Sequence, residues 1–392
     1  MIKKEVLLLI HPSRTAQARE KGVLGYFEKF LESGYFDNVI AFSFLGKHSS
    51  EYHLSSQVIL LEEGWSTDYS SRLMLGKFIG VVLLFFRLIF IWIPRFKNYR
   101  PTIIRSTEPQ LSGIYSYLIS KILHIPFVIS VHSNYDECYR SGGHSFTILG
   151  RRSFGRMLEG IVLSRSAHII CISDFLKRWI VKTHRIDQSK VSVIHHAYYG
   201  VIYKRTLSEI SAEQKISISV VSRLSNEKHS LDLLLLADLI RQNLLPFRIF
   251  IAGDGPLMSP MMDYVYKNDL DNILYLKGFA DQDEVYSLRK SCLIHISLLD
   301  GMSLVEAAAC SQCIVAYDNE WHSELIDDGV TGFLTKSRNV YALLDKLSAI
   351  NAMEPAHIHQ ICKQACKRVT LLHSPDKSAQ ATAKIYSTVL NV

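Results

Sequence analysis

Short runs of apolar residues alternate with longer amphipathic stretches over the first half of the chain. Continuous Val, Ile and Leu runs are typical of parallel strands that helices cover on both faces. Helical periodicity lies between these runs, as in SGIYSYLISKIL (112–123). The pattern therefore indicates a parallel α/β domain. Its predicted strands are EVLLLI (5–10), VIAFSF (39–44), QVILL (57–61), TIIRS (102–106), PFVISVH (126–132), HIICIS (168–173) and VSVI (191–194).

The same alternation restarts after the polar segment 204–215. Its predicted strands are KISISVVSR (215–223), FRIFIAG (247–253), NILYLKG (272–278), CLIHIS (292–297) and QCIVAYD (312–318). A chain of 392 residues is also too long for one ordinary core. We therefore expect an α/β protein with two Rossmann-like, doubly wound domains that face each other across a cleft.

Residues 78–93, FIGVVLLFFRLIFIWI, depart from this alternation because they are apolar except for Gly80 and Arg87. Sixteen residues with a central arginine are too short and too charged for a membrane span. Two interpretations remain. The segment is a helix in the membrane interface with its basic flanks near anionic headgroups, or it is a helix buried in the first domain.

Composition narrows the possible functions. A formal charge of +7 favours phosphate-bearing ligands or an anionic membrane surface. Nucleic-acid binding is not predicted, because no stretch interleaves aromatic residues with dense Lys and Arg. The N-terminal run lacks the length and cleavage site of a signal peptide, and seven cysteines without such a signal indicate a reducing, cytoplasmic compartment. No cysteine spacing predicts a metal site.

Two cations follow the first strand of the second domain. Arg223 comes where the run 215–223 ends, and Lys228 comes just before an amphipathic helix. Ligands of parallel α/β sheets bind at the carboxyl ends of the strands, beside helix N-termini. The pair would hold a diphosphate through charge-assisted hydrogen bonds. The alternative is a solvated basic turn.

A glycine turn, with Gly253 and Gly255 on either side of Asp254, follows the next strand. Such a turn lets the backbone approach a ligand closely. It is not the G-x-G-x-x-G of a dinucleotide site, and the segment after the first strand lacks that fingerprint as well. A nicotinamide-dependent oxidoreductase is therefore not predicted.

The segment HISLLDGMSLVEAAAC (295–310) predicts a strand, a loop and the start of a helix. Glu306 would lie in the first helical turn, close enough to accept hydrogen bonds from the vicinal hydroxyls of a ribose. Asp300 could bind sugar hydroxyls, and backbone amides of the loop could face a phosphate. Alternatively, both acids only favour the helix N-terminus electrostatically. The other predicted binding residues of the segment are Gly301, Met302, Ser303 and Leu304.

Several motifs in this order resemble the family-4 retaining glycosyltransferases of GT-B fold. They are R223-x4-K228, GDGP (253–256), GF (278–279), DGMSLVEAAAC (300–310) and HSELIDDGVTGFL (322–334). The likeness extends to TIIRSTEPQLSGIYSYLISKILHIPFVISVHSNYDE (102–137) and SPDKSAQATAKIYSTVL (374–390). It covers most of the chain. It implies an N-terminal acceptor-binding domain over 1–205, a nucleotide-sugar domain over 206–374, and a C-terminal helix (375–391) that packs back on the first domain.

The resemblance also implies roles for individual residues. Arg223 and Lys228 would bind the diphosphate of the donor, and Glu306 would hold its ribose. Asp300 would be the first of two acids near the transferred sugar. His132 matches a histidine that faces this sugar from the first domain. Gly22 falls where the family has a glycine-rich loop beneath the phosphates.

The acid pair departs from the family's spacing. Five residues separate Asp300 from Glu306, where seven are usual. Two missing residues rotate a helix position by about 200°, so the loop must be shorter or one acid must have another role. Ser311 and Cys313 also stand where Gly and Pro are usual.

The expected reaction moves a sugar from a UDP- or GDP-sugar to a hydroxyl of a glycan acceptor, with retention and without a metal cofactor. The acceptor would be a lipid-linked glycan at the inner face of the cytoplasmic membrane, in O-antigen, capsule or lipopolysaccharide biosynthesis. Two alternatives stay open. One is a nucleotide-sugar epimerase of the same fold, and the other is a non-catalytic partner protein that has lost the donor site.

Overall fold

The computed structural model describes residues 5–12, 27, 35–46, 49–64, 83, 85–140, 151–211 and 216–390. The chain divides into two compact units. The first contains residues 1–195 and 376–392, and the second contains residues 196–375. The sequence puts the two joints at 205/206 and 374/375.

The first unit contains an eight-stranded sheet. Its strands are β1 (Val6–His11), β2 (Asn38–Gly46), β3 (Ser50–His53), β4 (Val58–Gly64), β5 (Ile103–Ser106), β6 (Phe127–Val131), β7 (His168–Cys171) and β8 (Val191–Val193). They lie in the order β3-β4-β2-β1-β5-β6-β7-β8, and every pair is parallel except β3 with β4. All seven strands predicted for this half are present. The short polar edge strand β3 was missed.

The apolar runs of this sheet face helices on both sides. In β1, Leu8 and Ile10 join one buried cluster, whereas Leu7 and Leu9 join the other. The second cluster also contains Tyr386 from the C-terminal helix. Burial on both faces explains why the strands are continuously apolar. Among the described residues of the first unit, the α-helices are Ile93–Tyr99, Leu111–Leu123, Tyr135–Arg140, Arg152–Arg165, Asp174–His184 and the C-terminal Pro375–Leu390.

The second unit contains a six-stranded parallel sheet with the strand order β11-β10-β9-β12-β13-β14. Its strands are β9 (Ser217–Val221), β10 (Arg248–Ala252), β11 (Leu274–Gly278), β12 (Ile294–Ser297), β13 (Cys313–Tyr317) and β14 (Phe333–Thr335). This order is that of a doubly wound Rossmann-like sheet. Two Rossmann-like domains, as the sequence predicts, are therefore confirmed. The helices of this unit are Asp232–Gln242, Met258–Lys267, Gln282–Ser291, Met302–Ala309, His322–Leu325, Val340–Ala352 and Pro355–Leu372.

The apolar segment before β5 carries apolar side chains both on the face that packs in the core and on the face exposed to solvent. Leu88, Trp92 and Phe96 are buried in the core of the first unit. Phe86 and Phe90 are exposed and stacked on each other, with Phe90 69% exposed. The segment includes a π-helical turn over Leu88–Trp92. Within the described part of the chain, no helix is both long and apolar enough to span a membrane.

Candidate nucleotide site in the second unit

The strand order of the second sheet reverses between β9 and β12, which are hydrogen-bonded neighbours. In doubly wound folds, ligands bind outside the carboxyl ends of the strands at such a reversal. Arg223 and Lys228 follow β9, and Asp300 and Glu306 follow β12. The fold therefore brings together at one sheet edge four residues that the sequence singles out.

Two hydrogen bonds join β9 and the segment that follows it to the segment that follows β12. The ammonium of Lys228 donates to the backbone oxygen of Leu299 over 2.7 Å. The hydroxyl of Ser303 donates to the backbone oxygen of Val221, the last residue of β9, over 2.6 Å. Lys228 has three donors and uses one here. The exposed guanidinium of Arg223 makes no hydrogen bond to any residue that the structure describes. Both cations thus keep donors for an anionic ligand.

The glycine turn after β10 supports the segment that carries Arg223. A Cβ atom on Gly253 would lie 1.9 Å from the backbone oxygen of Ser222, and one on Gly255 would lie 2.3 Å from that of Leu224. The amide of Leu224 also donates to the backbone oxygen of Asp254 over 3.1 Å. The glycines are therefore needed for contact between two protein segments. Direct binding of a ligand by these glycines stays a prediction.

The helix that carries Glu306 begins at Met302, two residues earlier than predicted. Glu306 therefore lies in the second turn, and placing it in the first was wrong. Gly301 precedes the helix, has open space around it, and provides no side-chain cap. Leu304 is fully buried, so it can offer a ligand only its backbone.

An arginine that the sequence analysis missed holds the Glu306 carboxylate. The guanidinium of Arg289 donates to Glu306 Oε2 over 3.1 Å and to Ser303 Oγ over 3.0 Å. The Arg289 side chain is 1% exposed, whereas the Glu306 side chain is 38% exposed. The carboxylate is therefore fixed on one side and open to solvent on the other.

Asp300 has a different environment from Glu306. Its side chain is 3% exposed, and its Oδ2 lies 3.8 Å from Nε2 of the fully buried His295. That separation is too long for a hydrogen bond. The backbone amide of Asp300 donates to His322 Nε2 over 3.2 Å, and His322 Nδ1 donates to the backbone oxygen of Tyr317 over 2.8 Å. The Asp300 carboxylate points into the domain, and its contact with a transferred sugar stays a prediction.

Burial and mutual proximity set the charges of this acid and its imidazole neighbours. Burial opposes ionisation of Asp300, but the neighbouring His295, His322 and Lys228 together outweigh it, so the pKa of Asp300 is lowered. Burial lowers the pKa of His295 to about 4, and it also lowers the pKa of His322. At neutral pH, Asp300 is therefore the charged member of the group and both imidazoles are neutral.

Two predicted residues lie outside the second unit. His132 follows β6 at the carboxyl edge of the first sheet and is partly exposed, so its position suits a ligand-facing role within that unit. Its contact with a transferred sugar stays a prediction. Gly22 lies outside the described residues. Among the residues that are described, no three His, Cys, Asp or Glu side chains are grouped so that they could hold a metal ion.

Comparison with known proteins assigns both units to the same class of enzyme. Residues 57–198 match the model of glycosyltransferase family 4, and residues 205–368 match that of the group 1 glycosyl transferases. An uncharacterized glycosyltransferase of Methanocaldococcus jannaschii is 25% identical over 279 residues, which are 70% of this chain and 72% of that protein.

Two solved structures illustrate the shared architecture. Anabaena HepE in complex with UDP and glucose has a TM-score of 0.71 at 15% identity, covering 98% of this chain and 100% of that one. The lipopolysaccharide outer core galactosyltransferase WaaB in its apo form has a TM-score of 0.71 at 14% identity, covering 98% and 99%. At such identities the likeness shows the fold. The two matched models show that the chain is a glycosyltransferase, and the structural likeness shows that its fold is GT-B.

Proposed function

We propose that this glycosyltransferase moves a hexose from a nucleoside-diphosphate sugar to a hydroxyl of a glycan acceptor, with retention of configuration. The observation that carries the proposal is the set of Arg223, Lys228 and Glu306 at the reversal between β9 and β12. Two cations with available donors suit a diphosphate, and a half-open carboxylate suits ribose hydroxyls.

The proposed mechanism stabilises the leaving group. Departure of the nucleoside diphosphate leaves an oxocarbenium-like sugar, so the main task is to neutralise charge on the diphosphate. Arg223, Lys228 and the N-terminus of the helix Met302–Ala309 supply positive potential there, without a metal ion being required. His132 would face the transferred sugar from the first domain. Asp300, from its interior position, would hold the loop that precedes the helix.

Donor and pathway are further parts of the proposal. We favour UDP over GDP because HepE was solved with UDP. We favour assembly of lipopolysaccharide, O-antigen or capsule, with a lipid-linked acceptor on the cytoplasmic side of the membrane, because WaaB is a lipopolysaccharide galactosyltransferase of the same fold. A non-catalytic partner protein is the second candidate, since the buried Asp300 carboxylate is one of the two acids that the family places near the sugar.

Nucleotide binding is the first test. UDP, GDP, ADP and CDP would be screened by thermal shift on the wild type, Glu306→Ala and Arg223→Ala. A ligand at 100 times its Kd stabilises the folded state by about 2.7 kcal/mol, which raises Tm by a few degrees. We expect one nucleotide to stabilise the wild type and both variants to lose that shift.

Matched controls separate the site from a general charge effect. Asp283 and Arg248 are an exposed acid and an exposed base of the same unit, and Arg248 lies at the opposite, amino end of β10. Their alanine variants should keep the wild-type shift. If no nucleotide binds the wild type, the donor proposal is wrong and the partner-protein candidate, which has no donor site, replaces it. If a nucleotide binds but no sugar is transferred to added acceptors and no donor is hydrolysed, the proposed transfer reaction is wrong.

We also propose that the exposed apolar face before β5 contacts an anionic membrane surface. Leu83, Phe86, Phe90 and Ile91 are exposed, and residues 85–100 carry four basic residues and no acid. An amphipathic helix with this combination inserts shallowly between headgroups. Arg87 and Arg95 also pair with Glu63 and Glu51 of the first sheet, which fixes the segment on the domain.

Co-sedimentation with vesicles tests this contact. The wild type should bind vesicles of phosphatidylglycerol mixed with phosphatidylcholine more strongly than pure phosphatidylcholine. The double variant Phe86→Ser/Phe90→Ser should lose most of this binding. Leu244→Ser, which removes an exposed leucine of the second unit, should keep it. Equal binding by both variants would exclude the apolar face as the contact.

A further inference from the structure

Arg289 is buried in the second unit and contacts three side chains. It lies at the end of the helix Gln282–Ser291. Its guanidinium donates to Ser303 Oγ, Glu306 Oε2 and Gln312 Oε1 over 3.0, 3.1 and 3.3 Å. A guanidinium is a planar group with donors in fixed directions. Three acceptors around it therefore define its orientation, and with it the position of the Glu306 carboxylate.

Gln312 is itself held in place, so its oxygen has a fixed position as an acceptor for the Arg289 guanidinium. Its amide nitrogen donates to Ser219 Oγ over 2.9 Å and to the backbone oxygen of Cys292 over 3.0 Å. The nitrogen therefore faces β9 and the segment before β12, and the oxygen faces Arg289. Gln312 is fully buried and lies between Ser311 and Cys313, which are also buried.

Ser303 connects Arg289 to the segment that carries Arg223, which is proposed to bind the diphosphate. Its oxygen accepts from Arg289 and donates to the backbone oxygen of Val221, two residues before Arg223. Arg289 thus lies between Glu306 and the end of β9. A shift of its guanidinium would change the distance between the carboxylate and the proposed diphosphate site.

Glu306 keeps capacity for a ligand while Arg289 holds it. A carboxylate can accept about four hydrogen bonds, and only the one from Arg289 involves a residue that the structure describes. We propose that Arg289 is a positioning residue, which aims the open side of the Glu306 carboxylate at the ribose hydroxyls of the donor. This inference rests on the proposed function.

The test compares a nucleotide with its analogue that lacks the ribose hydroxyls. Calorimetric Kd values would be measured for UDP and 2′,3′-dideoxy-UDP, or for the guanosine pair if the wild type binds only GDP. The wild type should prefer the ribose form by about tenfold or more, because hydrogen bonds to a charged group are among the stronger ones. Glu306→Gln and Arg289→Gln should each reduce the preference to about twofold, and the double variant should reduce it no further.

A merely structural role for Arg289 gives a different result. Both ligands would then bind more weakly by the same factor, and the preference would stay at the wild-type value. Arg205→Gln is the matched control, because Arg205 is also buried but donates to the backbone oxygens of Arg289, Lys290 and Cys292. It should keep the preference. Arg289→Lys, which retains the charge and one direction of bonding, should restore part of it.

The outcomes separate this inference from the proposed function. If the wild type binds neither nucleotide pair, the proposed function fails. If it binds both members of a pair equally, or if Arg289→Gln keeps the full preference, the positioning role is wrong while nucleotide binding stands. Should Arg289→Gln not fold, Gln312→Met removes one acceptor from the guanidinium, and an unchanged preference in that variant overturns the inference.

Discussion

Each unit contains a buried arginine that binds one or two carboxylates, Arg152 in the first and Arg289 in the second. The two clusters differ in how far their carboxylates are exposed to solvent. In the first unit, Arg152 donates to Asp136 over 3.0 Å and to both oxygens of Glu159 over 2.5 and 2.8 Å. Trp179 and Gln110 donate to the same two carboxylates over 3.1 and 2.7 Å. The Glu159 side chain is fully buried and that of Asp136 is 11% exposed, against 38% for Glu306 in the second unit.

In the second unit, the carboxylate that Arg289 holds stays partly exposed, beside cations with available donors. Buried ion pairs alone do not indicate a functional site, because a closed cluster has no capacity left for a ligand. An open carboxylate with a buried partner does have that capacity. The difference therefore separates a cluster that supports the fold from one that is arranged for binding.

The largest expected effect comes from removing the arginine of the closed cluster. Arg152→Met leaves the fully buried Glu159 carboxylate without its guanidinium partner, so the free energy of unfolding should fall by about 3–5 kcal/mol. Arg289→Met should cost about 1–2 kcal/mol, because Glu306 can turn to water. Urea unfolding would measure both. Arg156→Met, which removes an exposed partner of Asp136, is the control and should cost at most about 1 kcal/mol. Equal losses for Arg152 and Arg289 would contradict the comparison.

Acidification should weaken both units through one buried histidine in each. Burial lowers the pKa of His184, beside Glu159, and the pKa of His295, beside Asp300, to about 4 from the ordinary 6.5. Each of these histidines is protonated below about pH 6.5 in the unfolded chain, but only below about pH 4 in the folded chain. Stability should therefore fall as the pH drops through this window, by roughly 3 kcal/mol for each histidine.

Unfolding measured at pH 7 and pH 4.5 would test this, with His184→Gln and His295→Gln as the variants. Each variant should lose less stability on acidification than the wild type. A pH dependence that neither substitution reduces would show that other groups cause it.

A smaller effect is expected from two glycines, one in each unit. A Cβ on Gly113 would lie 3.0 Å from the backbone oxygen of Glu108 and from Val162 in the first unit. A Cβ on Gly255 would displace the segment that carries Arg223. Each Gly→Ala change should cost about 1–3 kcal/mol of stability. Only Gly255→Ala should also weaken nucleotide binding, by about tenfold, as calorimetry would measure. Weaker binding by Gly113→Ala would break the comparison.

Much of the fold could be predicted because its strands are buried on both faces. Every predicted strand is present, because a short continuous run of Val and Ile is typical of a parallel strand that is covered on both faces. The missed strands, β3 and β14, are short and lie at sheet edges, where the apolar pattern is weak. Arg223, Lys228 and Glu306 could be predicted because they flank strand ends.

The environment of the two acids could not be predicted. Arg289 lies in a helix rich in charged residues, and nothing in QDEVYSLRKS distinguishes the one side chain that is fully buried. The interior position of Asp300 depends on His295 in β12 and His322 beyond β13. The burial of Arg289 and the interior position of Asp300 both result from contacts between segments that are far apart in the sequence. A local sequence pattern does not predict such contacts.

The edge strand β3 has a consequence for behaviour at high concentration. A parallel sheet that ended on the apolar β4 would offer its unpaired backbone groups to another molecule. β3 covers that edge with four residues, of which Glu51, Tyr52 and His53 are exposed, and Arg95 pairs with Glu51. Short, charged edge strands are poor templates for strand addition between molecules. Replacing Glu51 by an apolar β-branched residue should therefore promote aggregation at this edge.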